Sequence, residues 1–251
     1  MKITFLGTCH GYPEKNRDYP SILVEVGNSA YLIDAGGDVA GALIDRGIGF
    51  DSLRAVFITH VHGDHMNGLV NLVAIVSVPH YAPIANISYY LPEKRGVLGV
   101  KNYVNRLDGG FDSDKNKFFV YNEGTVYEDE NIKLTAVPTG HLLDRGYPAY
   151  GFILESEGRR VMFSGDLSPN LKHNDFPDIV KREVFDLFVL ELAHFDFEVV
   201  RPHLSDCLAK RVFINHVKFP SERIPLLDEE NKSGKFPFEI IGANDGDTVI
   251  L

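Results

Sequence analysis

The chain has 251 residues, of which 44% are hydrophobic and 24% are charged, values that suit a globular protein with its own core. The formal net charge of −10 argues against long nucleic acid and anionic membranes as partners, because a negative field repels both. The two cysteines, Cys9 and Cys207, are too few for a disulfide framework, so we expect them to be reduced. The N-terminal segment enters a strand-like run directly, which favours a cytoplasmic protein.

Short apolar runs rich in β-branched residues predict strands along most of the chain, because each run is bounded by Gly, Pro, Asn or Asp. The predicted strands are Lys2–Leu6, Ser21–Val26, Ala30–Ile33, Ala55–Ile58, Ile132–Val137, Gly151–Glu155, Arg160–Phe163, Leu187–Leu190, Val212–Ile214, Glu239–Ile241 and Thr248–Leu251.

Helical patterns are fewer than strand patterns. They predict helices over Val39–Arg46, His65–Val76, Pro177–Val184 and Leu204–Lys210. The mixture favours an α/β class with two sheets and helices outside them. Since no linker-like composition interrupts the chain, we expect one domain over residues 1–251.

The stretch from Pro79 to Lys117 has weak periodicity and many tyrosines. It is either a lid or insertion, or simply a helix and its connections. Its basic side chains are either a solvated face or a local anchor for an anionic substrate. These are Lys94, Arg95, Lys101 and Arg106.

Four potential metal ligands follow the predicted strand Ala55–Ile58 within six residues: His60, His62, Asp64 and His65. In an extended segment His60 and His62 point to one side, whereas Asp64 and His65 come at the start of a predicted helix. Imidazole and carboxylate groups suit zinc, iron and similar ions. One short loop can therefore serve two metals.

Further candidate ligands lie directly after other predicted strands, where sites gather in α/β folds. They are His141, Asp166 and His216, and Asp34 follows a strand in the same way as an acidic residue that could support the ligands. Each is a weak signal alone, but joined to the four-ligand loop they predict one metal centre.

In this order the residues resemble the metallo-β-lactamase superfamily, whose pattern they match over most of the chain. The resemblance implies a four-layer αββα sandwich with two mixed sheets and a dinuclear metal site. It assigns His60, His62 and His141 to one metal and Asp64, His65 and His216 to the other, with Asp166 bridging and Asp34 holding the site from behind.

Two departures narrow the choice within that superfamily. His62 stands where flavodiiron oxidoreductases carry an acid, which argues against reduction of oxygen or nitric oxide. Asp166 stands where true β-lactamases usually place a cysteine, which argues against hydrolysis of β-lactam antibiotics. The opening Ile3–Thr8, the continuation Asp64–Leu69 and the ending Ala243–Leu251 look like the ribonuclease Z-like and phosphodiesterase branch.

In that branch a carboxylate and a histidine form a proton-handling pair, which the resemblance places at Glu191 and His203. The long arm with which tRNA-processing members grip their substrate is not apparent. Together with the net charge of −10, this argues against tRNA processing.

We therefore expect a hydrolase with two divalent metal ions, zinc first and manganese or iron as alternatives. Its expected substrate is a small or cyclic phosphodiester, attacked by a hydroxide that the two metals share. Asp64 would orient this nucleophile, and His203 would donate a proton to the leaving oxygen while Glu191 orients its ring.

Two other functions stay open. One is a thioester or lactone hydrolase of the glyoxalase II or lactonase type, since such enzymes use much the same ligands. The other is a metal-binding or cofactor-biosynthesis accessory protein without turnover. The expected partners are a small anionic substrate and a second copy of the chain, with no membrane. The apolar, tyrosine-rich stretch near Tyr89 supports the homodimer.

Overall fold

The computed structural model describes residues 1–107 and 109–251, and the chain divides into two compact units. The first unit consists of Met1–Gly7, Pro13–Asn122 and Asp245–Ile250, and the second of Thr8–Tyr12, Glu123–Asn244 and Leu251. Each unit is built on one β-sheet. The interpretation of residues 1–251 as a single domain stays a prediction.

The first unit contains seven strands, numbered here in chain order across the whole molecule. They are β1 (Lys2–Gly7), β2 (Ser21–Val26), β3 (Ser29–Ile33), β4 (Leu53–Phe57), β5 (Ile87–Leu91), β6 (Asn116–Val120) and β14 (Thr248–Ile250). Their order in the sheet is β14-β1-β2-β3-β4-β5-β6. Pairing is antiparallel from β14 to β3 and parallel from β3 to β6, so the sheet is mixed.

Three helices pack against this sheet: α1 (Val39–Asp45), α2 (Gly63–Ser77) and α3 (Lys94–Val104). Alternate strand residues such as Leu32 and Val56 form one buried cluster with Leu43 of α1 and Leu72 of α2. The intervening strand residues, such as Tyr31, are buried as well. The sheet is therefore covered by its helices through a period-two pattern on one face.

The second unit contains the other seven strands. They are β7 (Gly124–Glu128), β8 (Lys133–Pro138), β9 (Tyr150–Ser156), β10 (Arg159–Phe163), β11 (Leu187–Leu192), β12 (Val212–Val217) and β13 (Ile240–Gly242). Their order is β13-β12-β11-β10-β9-β8-β7. Pairing is antiparallel from β7 to β10 and parallel from β10 to β13.

Two helices, α4 (Phe197–Leu204) and α5 (Pro220–Lys232), pack on the second sheet. Val200 and Leu227 from these helices share one buried cluster with Phe188 and Ile214 from the strands. Short 3₁₀ turns lie at Leu143–Arg145, Pro169–Leu171 and Asp178–Lys181. In the described part of the chain, no helix is long and apolar enough to cross a membrane.

All eleven predicted strands are present, with ends that shift by at most three residues. The two helices predicted in the first half are also present. The helix predicted over Leu204–Lys210 is wrong, because the helical residues precede it in α4 and Ser205 instead bonds back to the Arg201 carbonyl. The sequence pattern does not predict α4, because Pro202 lies within it and proline disfavours a helix interior.

Two other regions differ from expectation. The helix predicted over Pro177–Val184 is reduced to the 3₁₀ turn Asp178–Lys181. The stretch from Pro79 to Lys117 contributes β5, α3 and the start of β6 to the first unit, so its described residues belong to the sheet and its helices rather than to a lid, and its two strands were not predicted. Asp108, within its polar loop, lies outside the described residues.

Parallel pairing puts the carboxyl ends of neighbouring strands at one edge of each sheet. In the first unit, Asp34 follows β3 and His60 follows the adjacent β4. In the second, Asp166 follows β10, while Glu191 and His216 lie near the ends of β11 and β12. The fold therefore gathers the polar residues that the sequence places after separate strands.

Gly165 makes the turn that carries Asp166 possible. Its φ is +59°, and a Cβ at this position would lie 2.2 Å from the Tyr150 carbonyl oxygen. Gly158, in the turn between β9 and β10, has φ +73°, and a Cβ there meets no described atom within 4 Å. The two glycines share a left-handed backbone, but only Gly165 is also hemmed in by neighbouring backbone.

We expect Gly158→Ala to cost about 1 kcal/mol of unfolding free energy, for the left-handed backbone alone. Gly165→Ala should cost about 1–3 kcal/mol more because of the backbone clash. Urea unfolding of both variants measures the difference. Equal losses would mean that the Tyr150 contact does not constrain the turn.

Candidate metal centre

The seven predicted metal ligands are divided between the two units. The first unit holds His60, His62, Asp64 and His65, and the second holds His141, Asp166 and His216. Within each unit these side chains lie close together, and they form the first half of the candidate centre in the first unit and the second half in the second unit.

A buried carboxylate organises the first half. Asp34 is only 6% exposed and accepts hydrogen bonds from the Thr59 backbone N–H at 2.8 Å and the Thr59 hydroxyl at 2.9 Å. Its Oδ2 also lies 2.8 Å from His65 Nδ1. The predicted supporting role of Asp34 thus has a structural basis: it fixes the His65 ring and the residue before His60.

The three histidine rings of the first half contact one another. The ring centroids of His60 and His62 are 4.6 Å apart, and those of His60 and His65 are 4.2 Å apart. Nδ1 of His60 lies 3.1 Å from the Thr59 hydroxyl, and its Nε2 lies 3.0 Å from His62 Nδ1. His65 Nε2 is 3.6 Å from Asp64 Oδ2. Imidazole nitrogens packed this tightly are suited to binding a cation.

The loop after β3 holds the ligand loop from the side. The Ala35 N–H donates to the His65 carbonyl oxygen at 2.8 Å. A Cβ on Gly36 would lie 1.6 Å from the Asp64 carbonyl oxygen, so only glycine allows this approach. Asp34 itself has φ +59°, a conformation rare for residues other than glycine that often marks functional sites.

In the second half, imidazole nitrogens converge on one carboxylate oxygen. Asp166 Oδ2 lies 3.3 Å from His216 Nε2 and 3.8 Å from both His141 Nε2 and His194 Nε2. These separations exceed the usual limit of about 3.2 Å for an N–H···O hydrogen bond. Two ligands of one tetrahedral zinc, each about 2.0–2.1 Å from the metal, lie about 3.3–3.4 Å apart. The donor set therefore fits a divalent cation.

The opposite nitrogens of these rings are held by fixed acceptors. His141 Nδ1 donates to the Leu167 carbonyl at 3.2 Å, and His216 Nδ1 donates to the Cys9 carbonyl at 2.9 Å. A proton on Nδ1 makes Nε2 the electron-pair donor of the ring, as is usual for metal-binding histidines. Burial also lowers the pKa of His141, although Asp166 opposes this shift, so the ring is neutral near pH 7.

A β-bulge aims His216. The pairing of β11 with β12 shifts register between Glu191 and Leu192, which face Asn215 and Val217. His216 is the extra residue and has φ +51°. The bulge turns its side chain out of the regular alternation of the strand.

Glu191 and His203 do not form the pair that was expected. Glu191 Oε1 lies 2.9 Å from His194 Nδ1, and its oxygens also accept from the backbone of Leu167 and Ala193. His203 instead stacks on Phe176 with ring centroids 4.7 Å apart. His194 follows Glu191 by three residues, and this short separation lets its ring return to the end of β11 where Glu191 lies. His203 belongs instead to the later helix α4.

The sequence analysis missed His194, although it follows β11 as the other candidates follow their strands. Its Nδ1 is held by a carboxylate, and its Nε2 faces Asp166. Ligand atoms of His141, Asp166 and His194 all lie within 4.8 Å of one another. Since its side chain is 23% exposed, His194 can be reached by a small molecule.

Asp175 is a second residue that the sequence did not reveal. Its Oδ2 accepts from the Gly140 N–H at 2.8 Å and from the Ser168 N–H at 2.7 Å, and its Oδ1 accepts from the Ser168 hydroxyl at 2.6 Å. Gly140 precedes His141, and Ser168 follows Asp166 by two residues. One carboxylate thus joins the two loops that carry His141 and Asp166.

Comparisons with known proteins match most of this chain to a family. A family model described as "Anti-Pycsar protein Apyc1" matches residues 1–192. The ribonuclease Z of Methanocaldococcus jannaschii is 29% identical over 218 residues, which cover 83% of this chain and 65% of the relative. The chain spans about half to two thirds of the length of the curated ribonuclease Z relatives that it matches.

Solved structures establish the fold. The metallo-β-lactamase fold protein YhfI from Bacillus subtilis aligns with a TM-score of 0.77 at 16% identity, covering 99% of each chain. A diphosphatase from the PhnP family aligns with a TM-score of 0.71 at 19% identity, covering 100% of this chain and 97% of that one. The predicted fold class, an αββα sandwich with two mixed sheets, is confirmed.

We expect Asp175→Ala to lower the unfolding free energy by about 1.5–3 kcal/mol, because it removes hydrogen bonds to a charged acceptor. It should also weaken zinc binding, since the His141 and Asp166 loops lose their common anchor. Asp178→Ala is the matched control: its ion pair with Lys181 lies at the surface, and such pairs contribute about 0–1 kcal/mol. Urea unfolding and chelator competition measure the two effects. Unchanged zinc affinity in Asp175→Ala would show that the loops are held by other contacts.

Proposed function

The chain belongs to the anti-Pycsar protein Apyc1 family, in the ribonuclease Z-like branch of the metallo-β-lactamase superfamily, and we propose that it is a metal-dependent hydrolase of a small or cyclic phosphodiester. The observation that carries the proposal is the convergence of imidazole nitrogens on Asp166 beside the Glu191–His194 pair. A relative named as a ribonuclease and a structural neighbour named as a diphosphatase support chemistry at phosphorus.

The two halves described above each supply part of a ligand set. We propose that together they bind two divalent ions, with Asp166 bridging. His60, His62 and His141 would hold one ion, and Asp64, His65 and His216 the other. Asp34 would keep His65 oriented from behind. Ring nitrogens held in place by Nδ1 contacts support this proposal in both halves.

Zinc suits this set of imidazole and carboxylate ligands best, and manganese and iron accept it as well. Two bound ions would lower the pKa of water toward about 7 and offset negative charge on the substrate oxygens. Asp64, the most accessible carboxylate of the first half at 15% exposure, would orient the nucleophile.

The proton for the leaving oxygen would come from His194. The Glu191 carboxylate holds the Nδ1 proton of this ring, which turns Nε2 toward the Asp166 side of the half-site. A carboxylate behind an imidazole stabilises the protonated ring and fixes its direction. Thioesters need little help of this kind, since a thiolate leaves readily, so the pair favours a phosphodiester with an alkoxide leaving group.

We propose that the protein acts in the cytoplasm, as one domain over residues 1–251, on a small anionic substrate. The net charge of −10 supports a small substrate over a long polyanion. A homodimer also stays a prediction, but Tyr89 no longer supports it: this ring is fully buried and its hydroxyl donates to Asn116 at 2.9 Å.

A substrate panel tests the proposed function. Protein reconstituted with zinc, manganese or iron is assayed on cyclic and linear phosphodiesters, a precursor tRNA, thioesters and lactones. We expect turnover of phosphodiesters that is lost with chelator and rises until two equivalents of metal are bound. Preference for a thioester or lactone would establish the rival hydrolase class. Full metal content with no turnover on any substrate would favour an accessory protein.

A second experiment tests the proton donor. We expect His194→Ala to slow phosphodiesters with alkoxide leaving groups by about 10²–10⁴-fold and those with p-nitrophenolate much less. His203→Ala is the matched control and should change neither, since His203 packs on Phe176 away from Glu191. Metal content is measured in both variants. Loss of a metal from His194→Ala would make His194 a ligand, and a leaving-group effect confined to His203→Ala would restore the pairing expected from the sequence.

A further inference from the structure

A groove lies between α2 and α3 of the first unit, with a volume of about 630 Å³. This volume is within the range of roughly 300–1,000 Å³ that small-molecule sites occupy. We call it the α2–α3 groove. Its lining includes Val61, Met66 and Asn67 and, from α3, Arg95, Gly99 and Tyr103.

The groove shares a wall with the metal-ligand segment. Val61 stands between His60 and His62, and Met66 and Asn67 directly follow His65. A molecule in the groove therefore contacts the same short segment that carries the four ligand candidates of the first unit. This continuity makes the groove a place for part of a substrate whose reacting end is at the ligands.

Two glycines of α3 shape the groove in different ways. A Cβ on Gly96 would lie 2.8 Å from Val61 Cγ1, so glycine lets the helix approach the ligand segment. A Cβ on Gly99 meets no atom within 4 Å among the described residues, so packing does not require glycine there. Glycine destabilises a helix interior, so Gly99 lowers the stability of α3. The absence of a side chain at this position leaves empty space in the groove.

The lining is apolar with a polar rim. Val61, Val70 and Val100 provide aliphatic surface, and the Tyr103 ring, 59% exposed, provides a flat wall. At the rim, Arg95 is 71% exposed, with Nε 3.7 Å from Glu93 Oε2. Of the other basic residues in this stretch, Lys101 turns away and lies over the rings of Phe111 and Phe118.

We propose that the α2–α3 groove binds the part of the phosphodiester that stays on phosphorus, an aromatic or heteroaromatic ring packed against Tyr103 with its polar edge at Arg95 and Asn67. The inference rests on the proposed function and adds a specificity site to it. A flat ring suits the exposed tyrosine face, and guanidinium and amide groups suit the heteroatoms at a ring edge.

Two substrates with the same leaving group test the groove. Phenyl p-nitrophenyl phosphate carries a ring on the retained side, whereas methyl p-nitrophenyl phosphate carries only a methyl group. We expect Gly99→Leu to raise KM for the phenyl substrate by about 10-fold or more, because leucine fills the groove. The methyl substrate should change less than about twofold, and thermal stability should hold or rise, since leucine favours helix.

Matched variants separate the groove from the helix. Asn102→Leu adds the same side chain at an exposed position of α3 that does not line the groove, and we expect no change in substrate preference. Tyr103→Ala removes the flat wall and should raise KM for the phenyl substrate without filling the groove. Agreement of Gly99→Leu and Tyr103→Ala supports the site even if one variant is poorly folded.

The outcomes separate the two levels of the proposal. If the wild-type protein hydrolyses neither phosphodiester, the proposed function fails. If it hydrolyses both, and Gly99→Leu slows them equally or not at all, the groove proposal is overturned while the function stands. A change of oligomeric state in light scattering, with preference intact, would assign the groove to a second copy of the chain and overturn the proposal too.

Discussion

Five imidazoles of the centre, those of His60, His65, His141, His194 and His216, have their Nδ1 atoms beside a buried oxygen, and the arrangement of the ligands depends on this constraint. Asp34 holds His65, and the backbone carbonyls of Leu167 and Cys9 hold His141 and His216. A histidine with one nitrogen anchored in this way cannot rotate without losing a buried hydrogen bond, which is costly. The rings are therefore oriented by the protein itself, and the Nε2 atoms of the second half meet at the Asp166 carboxylate.

The sequence predicted eleven of the fourteen strands in the described residues, and it pointed to most of the polar residues that lie at their ends, because both follow local rules. Alternating β-branched residues bounded by turn residues predicted both ends of β2 correctly. The positions directly after β4, β8 and β10 pointed to His60, His141 and Asp166 as candidate ligands. For β4 and β10 the link between these rules is parallel pairing with a neighbouring strand, which brings carboxyl ends to one edge; β8 pairs antiparallel with β9, and β9 pairs antiparallel with β10, so β8 runs in the same direction as β10. That pairing is common enough in α/β proteins to be assumed before a structure is known.

The parts that the sequence did not predict depend on contacts between distant residues. Asp175 serves two loops that come 35 and 7 residues earlier in the chain, and no spacing rule marks it. The family pattern points to His203, whereas the histidine that contacts Glu191 is His194, and only the folded chain brings these two side chains together. The bulge at His216 and the left-handed backbone of Asp34 are also set by their surroundings, since local preference disfavours both.

Glycines shape the backbone around the candidate ligands and also the groove beside them. Gly36 and Gly165 are required by the backbone, because a side chain at either position would overlap a carbonyl oxygen of a neighbouring segment. Gly99 has neither a left-handed φ nor a close neighbour among the described residues. Gly99 therefore weakens α3 although the backbone does not require glycine there, and we explain it by the open α2–α3 groove beside it. Since that space borders the segment from His60 to His65, the same loop that would hold the metals also forms one wall of a site that can select the substrate.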